Sequence, residues 1–370
     1  DEEMVSCVSW ILRLPVLDDR QKTQLRLPLS EGGLGITGLV SVSNIAFYAS
    51  AAASLASVLK RKLIDGLDAS TLEAQQYVEA VKKARDAVVH QLPTDSVSHL
   101  HPVSELIRVS VPGEQKRISE LLHRQFRKRL LETAEPVSAA RLRSVTGPGA
   151  AGFLATVPMS PELRLTDVQL QTAVRLRLGL PVVPSGGVER CSCSRRVPLD
   201  PLGHHLLDCQ TGGERIARHD ALKETVGGII RQAGHAARVE QTLRNLQVPT
   251  DSAQRMDVVY INSKAGVVCL DTTVIHPCAP SYVSRAATTD GFAIGVAEKR
   301  KKRTYAASVE HAGHQFFPLA VETYGRWSET TGSELRRLAT DATERAGRNS
   351  DFLRSRLMDR WWKKLSCALQ

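Results

Sequence analysis

Long apolar runs are missing from this sequence. No stretch approaches the roughly twenty apolar residues that span a bilayer, and the best, residues 45–59, is broken by serines and reads as a packed helix. No charged-then-apolar leader opens the chain, so no membrane partner is expected. The first residue is Asp1 rather than Met, which reads as a fragment of a longer protein. A disulfide framework is missing too. Of seven cysteines, three crowd between Cys191 and Cys209, while Cys7, Cys269, Cys278 and Cys367 are scattered. That pattern excludes a stapled scaffold and points to a reducing compartment and a metal site. Gly32, Gly33 and Gly35 lack the Gly-Lys-Ser/Thr ending of a phosphate-binding loop, and no clear strand precedes them, so they read as a tight turn leading into a helix. No aromatic-x-Asp-Asp strand of a polymerase is present; Asp18-Asp19 follows a proline break with no hairpin around it.

What is present is ordinary in bulk and unusual in charge. The 370 residues suffice for two or three domains, and 42% hydrophobic with 24% charged content argues against wholesale disorder. The net charge is +10 and the pI near 9.4, which favours a polyanionic partner through phosphate neutralisation.

Along the chain, an apolar-periodic stretch over residues 5–17 precedes the glycine turn and an alanine-rich helix. Residues 70–131 read as helical, from Ser70 and Thr71 through Val78, Val81 and Val88, punctuated by Pro93, Pro102 and Pro112. Within them, Lys116, Arg117, His123, Arg124, Arg127, Lys128 and Arg129 surround Ile118, Leu121, Leu122 and Phe126, a basic amphipathic helix with a solvated or DNA-facing side. A helix near residues 165–178 is followed by a break at residues 184–187, where a domain boundary falls.

Cys191 and Cys193, with Cys209 and either His204 or His205, supply four soft ligands within nineteen residues. Zinc takes about four such ligands in a tetrahedron, and a set filled wholly by protein is a structural site.

After Gly212-Gly213 a helix carries Arg218, His219 and Lys223, and the periodicity then changes. Residues 237–240, 256–261 and 267–275 read as strands, with a hairpin turn over residues 262–266. Asp257 and Asp271, with thirteen residues between them, are thereby folded towards one end of a sheet, with Glu240 on the neighbouring strand. Carboxylates so grouped suit magnesium, which in phosphodiester cleavage activates water and offsets charge on the phosphate. The run from Glu298 through Lys299, Arg300, Lys301, Lys302 and Arg303 to Tyr305 lies on a helix, where a lysine can orient water or stabilise the transition state; a nuclear-import signal or a phosphate-gripping patch explains the same run. His276 reads as a strand-end residue. Residues 335–338 and 352–358 supply an apolar packing face, and Trp361 and Trp362 either stack on bases or dock a terminal helix.

Taken in order, Cys191-Ser-Cys193, Gly203-His204-His205-Leu-Leu-Asp208-Cys209, Arg218-His219-Asp220, Glu240, Arg255-Met256-Asp257 and Asp271-Thr-Thr-Val274 resemble the C-terminal region of non-LTR retrotransposon proteins that carry a restriction-like, PD-(D/E)XK endonuclease. Residues 297–305, 317–325 and 27–36 resemble other parts of that region, the last following the reverse transcriptase core, so the likeness covers nearly the whole chain. It implies a magnesium-dependent nuclease that nicks double-stranded target DNA, so that the freed end primes reverse transcription of the element's RNA. Met256 stands where the family usually has proline, and Thr273 where it often has lysine; the resemblance moves the lysine to the next helix, as Lys299, Lys301 or Lys302.

The expected fold is α+β. It runs from a segment following the reverse transcriptase core (1–65) and a helical linker domain (66–186) to a zinc knuckle (187–213), a small mixed-sheet restriction-endonuclease-like α/β core (214–330) and a C-terminal helical extension (331–370). Expected site residues are Asp257, Asp271, Glu240 and one of the three lysines for catalysis; Arg218, His219, Arg255, Arg303 and Tyr305 for DNA; and Asp257 with Asp271 for magnesium. Expected partners are DNA, element RNA and the rest of a reverse transcriptase protein, in the nucleus. The alternative expectation is a degenerate nuclease fold that binds nucleic acid without cutting.

Overall fold

A computed structural model describes residues 1–61, 72–92, 94–98, 100–183, 186, 189–211, 213–248, 254–348 and 350–370. Ser70, Thr71, Pro93, Gly212, the 65/66 boundary and Pro184, Ser185 and Gly187 of the expected break lie outside them. The chain divides into two compact units, residues 1–11 with 16–133, and residues 12–15 with 134–370.

The first unit is helical: α1 (Glu2–Ile11), α2 (Asp19–Arg26), α3 (Leu39–Arg61), α4 (Leu72–Val89), the single turns α5 (Thr94–Val97) and α6 (Val103–Leu106), and α7 (Glu114–Glu132). Asp18 has a local duty. Its carboxylate accepts the Gln21 N–H at 2.7 Å while the Gln21 side chain accepts the Asp18 N–H at 3.0 Å, a capping box that starts α2. The glycine run is a turn: a Cβ on Gly33 would lie 1.9 Å from the Leu27 carbonyl oxygen, so only glycine lets the backbone fold back there. Ile45, Tyr48 and Leu55 of α3 pack with Val81 and Val88 of α4 and Ile118 and Leu122 of α7. On α7, Lys116, Arg124, Lys128 and Arg129 stay exposed, while Arg117 pairs with Glu114 and Arg127 with Glu31. No helix among the described residues is long and apolar enough to cross a membrane.

The second unit is α+β. Its helices are α8 (Pro136–Ser144), α9 (Asp167–Leu178), α10 (His204–Asp208), α11 (Glu214–Gln232), α12 (Val283–Ala286), α13 (Phe292–His311), α14 (Glu329–Arg345) and α15 (Asp351–Leu369). Its sheet has the order β1 (Ala237–Thr242), β2 (Arg255–Asn262), β3 (Gly266–Ile275) and β4 (Gln315–Glu322). The first three strands are antiparallel, β3 and β4 are parallel, and α13 makes the crossover between those two.

Alternation divides the sheet's faces. Val258, Tyr260, Val268, Leu270, Leu319 and Val321 point to one core with α11, α14 and α15. The row Val259, Cys269 and Phe316 points the other way, onto Val309 of α13. The C-terminal helices therefore share the sheet's principal core. Leu335 and Leu338 are buried as expected, but Phe352 is not: it is 68% exposed, one turn too early on α15 to reach the core that Leu357, Trp361, Leu365 and Leu369 fill. The paired tryptophans dock that helix. Trp361 is fully buried with its Nε1–H on Gln232 at 3.1 Å, and Trp362 lies against Trp327.

Trp361→Ala should therefore cost about 3–5 kcal/mol in urea unfolding, whereas Trp10→Ala, at an 81% exposed position, should stay within about 0.5 kcal/mol.

Candidate functional site

One step beyond the last β2–β3 pair, Val258 with Leu270, Asp257 and Asp271 occupy facing positions on neighbouring strands. Hairpin pairing alone puts them there. Asp257 is held from two sides: its Oδ2 accepts the Thr272 N–H and the Thr272 hydroxyl, each at 2.6 Å, and lies 3.1 Å from His219 Nε2 of α11. Asp271 is buried and forms an ion pair at 2.7 Å with Lys301, which reaches back from α13. Helical spacing singles that lysine out. Ala297, Lys301 and Tyr305 recur at four-residue intervals on the face towards the sheet, with the ammonium 5.6 Å from the Tyr305 ring, whereas Lys299, Lys302 and Arg303 are exposed.

The two carboxyls titrate in opposite directions. Burial pushes Asp257 up, but the bond and charge of His219 and the Thr272 donors outweigh it and hold it below the usual range. Burial and then the charge of Asp257 raise Asp271 to about 6, with Lys301 opposing. Two facing carboxylates that repel one another, both hard oxygen donors, are a donor set that suits a divalent cation.

Glu240 is placed apart. Its residue sits between the pairs Val239–Val258 and Gln241–Met256 with φ of 54°, a left-handed backbone rare for a side-chain-bearing residue in a strand. Its exposed carboxylate is bonded by Lys223 and lies 3.5 Å from Arg255. Lys223, itself buried, also holds Asp220 at 2.8 Å, tying α11 to β1. Glu240 does not join Asp257 and Asp271 in any cluster of three ligand atoms within 4.8 Å among the described residues.

Beside the carboxylates opens a cleft of about 470 Å³ lined by Arg215, His219, Thr272, Arg300 and Lys301. Its walls carry three basic side chains, Arg215, Arg300 and Lys301. Arg215, Arg300, Thr272 and the buried Lys223 are not among the expected site residues; the sequence signs of the cleft are the basic run that contains Arg300 and the shared helix face of His219 and Lys223, four apart on α11. Of the residues expected on DNA, Arg218 turns inward and donates to the Leu207 carbonyl at 3.0 Å, and Tyr305 packs on Phe316; Arg255 and Arg303 are exposed.

The cysteine cluster is a separate structure. A β-bridge between Arg190 and Pro198 closes a tight loop over Cys191 and Cys193, and α10 then brings up His205 and Cys209. Around a tetrahedral zinc two sulfurs stand about 3.8 Å apart, and a sulfur and a nitrogen about 3.5 Å. Here Cys191 Sγ is 3.7 Å from Cys209 Sγ, and Cys193 Sγ is 3.5 Å from His205 Nε2. The four donor atoms lie within 4.8 Å of one another, so the cluster can hold a metal such as zinc. The two neighbouring thiols of Cys191 and Cys193 are shifted in opposite directions. A backbone bond at Val197, with His205 beside it, lowers the Cys193 thiol to about 6, whereas Cys191 is raised, burial and the neighbouring thiols outweighing the N–H bond from Cys193. Between the two histidines left open by spacing, the geometry selects His205; His204 points elsewhere. His276, just past β3, is buried and bonded to Thr323 and His204.

Compared with profiles of known protein families and with curated proteins, the chain matches none.

The His219–Asp257 pair sets a pH window. The bond to Asp257 raises the His219 pKa, so that contribution to stability is complete below about 6.5 and is lost as pH rises through the folded value. The Asp257 contribution runs oppositely, present above about 3.9 and lost as pH falls through its lowered value. Asp257→Asn should move the His219 pKa, read by NMR titration of its ring protons, back towards about 6.5; an unchanged value would contradict the pairing.

Proposed function

We propose that this chain is a magnesium-dependent DNA endonuclease of the retrotransposon restriction-like kind, joined to a zinc knuckle. The observation that carries the reading is the facing pair Asp257 and Asp271, with Lys301 supplied from the following helix at the edge of a cationic cleft. In this reading Asp257 and Asp271 hold magnesium, whose chemistry is to lower the pKa of water and offset charge on the scissile phosphate. Arg215 and Arg300 draw the phosphate backbone into the cleft. Lys301, already seated on Asp271, is the cation nearest the reacting phosphate and takes the role left open among the three lysines. Glu240 acts at one remove, anchoring Lys223 and Arg255 rather than completing the ion's ligands. The knuckle, with Cys191, Cys193, His205 and Cys209 on zinc, is a structural clamp next to the cleft: Gln210, one residue past Cys209, lines it. The ordered motifs extend the reading to target-primed reverse transcription in the nucleus, with double-stranded DNA, element RNA and the rest of a reverse transcriptase protein as partners.

A second reading, a nucleic-acid-binding module that does not cut, is favoured by one observation: each acidic group already has a basic partner, Asp257 with His219, Asp271 with Lys301 and Glu240 with Lys223.

Plasmid nicking separates the two. With magnesium, the wild-type chain should nick supercoiled DNA, and Asp257→Ala or Asp271→Ala should reduce the rate by at least about a hundredfold, the scale of losing a preorganised electrostatic contact. DNA binding by gel shift should persist in both. Wild-type binding without magnesium-dependent nicking would replace the first reading with the second.

A further inference from the structure

His204 and His205 are neighbours on α10, and consecutive helical residues point about 100° apart. His205 faces the knuckle thiols; His204 faces the end of β3. There His204 Nδ1 lies 3.2 Å from His276 Nε2 and 3.2 Å from the Tyr324 hydroxyl. Cys278 closes the group, and the donor atoms of His204, His276 and Cys278 lie within 4.8 Å of one another. Two imidazole nitrogens on one tetrahedral zinc stand about 3.3 Å apart, which is the spacing found. His276 is oriented from behind, its Nδ1 at 2.8 Å from the Thr323 hydroxyl, so that Nε2 is the nitrogen turned towards the cluster. His276 and Cys278 are both buried, which makes this a built pocket of soft donors rather than a surface coincidence.

We propose that His204, His276 and Cys278 form a second zinc site, distinct from the knuckle and sharing no ligand with it. Tyr324 or a water fills the fourth position. The site ties α10, and through it the knuckle, to the end of the strand that carries Asp271. On binding, the Cys278 thiol, which donates to the Val137 carbonyl at 3.4 Å, gives its proton to solvent, and both imidazoles bind neutral. The inference stands beside the nuclease reading, and its test does not use nicking.

The full chain is stripped of metal, reloaded with zinc, dialysed and assayed for bound metal; a parallel cobalt(II) titration follows the thiolate charge-transfer band. Two equivalents are expected in the wild-type chain. Cys278→Ser and His276→Asn should each lose one equivalent while keeping the strong band of the three-thiolate knuckle. Cys209→Ser should lose that strong band and keep the weaker one-thiolate site. If the knuckle alone fails, a single equivalent will be lost in Cys278→Ser and kept in Cys209→Ser, which still supports the second site. A wild-type stoichiometry of one that is unaffected by Cys278→Ser and His276→Asn overturns it and leaves a hydrogen-bonded histidine pair. Should Cys278→Ser fail to fold, His276→Asn decides by the same readings.

Discussion

Antiparallel pairing of β2 with β3 is the constraint on which the rest of the second unit depends. It builds the middle of the sheet, supplies Val258, Tyr260, Val268 and Leu270 to the main core, and sets Asp257 opposite Asp271 in the same register. A slip of one residue would exchange the faces of the strand, sending the core residues outward and separating the two acids together. Fold and candidate chemistry are thus fixed by one set of backbone hydrogen bonds. Parallel addition of β4 then requires a crossover, and that crossover is α13, the element that carries Lys301.

The α11 helix has a comparable double duty. Leu222, Val226, Ile229 and Ile230 bury one side of it against the sheet, while His219 and Lys223 near its start reach Asp257, Asp220 and Glu240. The polar contacts sit at the end of an apolar seam that anchors the helix, so their geometry is inherited from packing. Arg218 extends the arrangement to the cysteine cluster through the Leu207 carbonyl, on the helix that carries His205.

Strands were the legible part of this sequence, because the short β-branched and apolar runs of residues 256–261 and 267–275, joined by the Asn262-to-Gly266 turn, have few other readings. The facing acids follow from that hairpin. Less legible were features set by helix rotation. Three lysines within four residues are equivalent in composition, and only the phase of α13 against the sheet brings Lys301 inward. The same holds for His204 and His205, which spacing leaves equal and a short helix separates. Phe352 fails for a related reason: an apolar residue at the start of a helix is not on the buried face unless the helix already overlies the core. Glu240 was placed on the correct strand, but its left-handed backbone and the reach of Lys223 from α11 are tertiary outcomes that no local pattern announces.

The Lys301–Asp271 contact gives the cleft an internal counter-ion. A buried carboxylate left bare is costly, so a divalent ion arriving there would enter by exchange, taking the place of an ammonium rather than filling an empty shell. On the proposed nuclease reading, a polyanion in the cleft would offer the released ammonium somewhere to go. Uptake of cation and of phosphate would then be one coupled equilibrium, with the lysine as the shared currency between them.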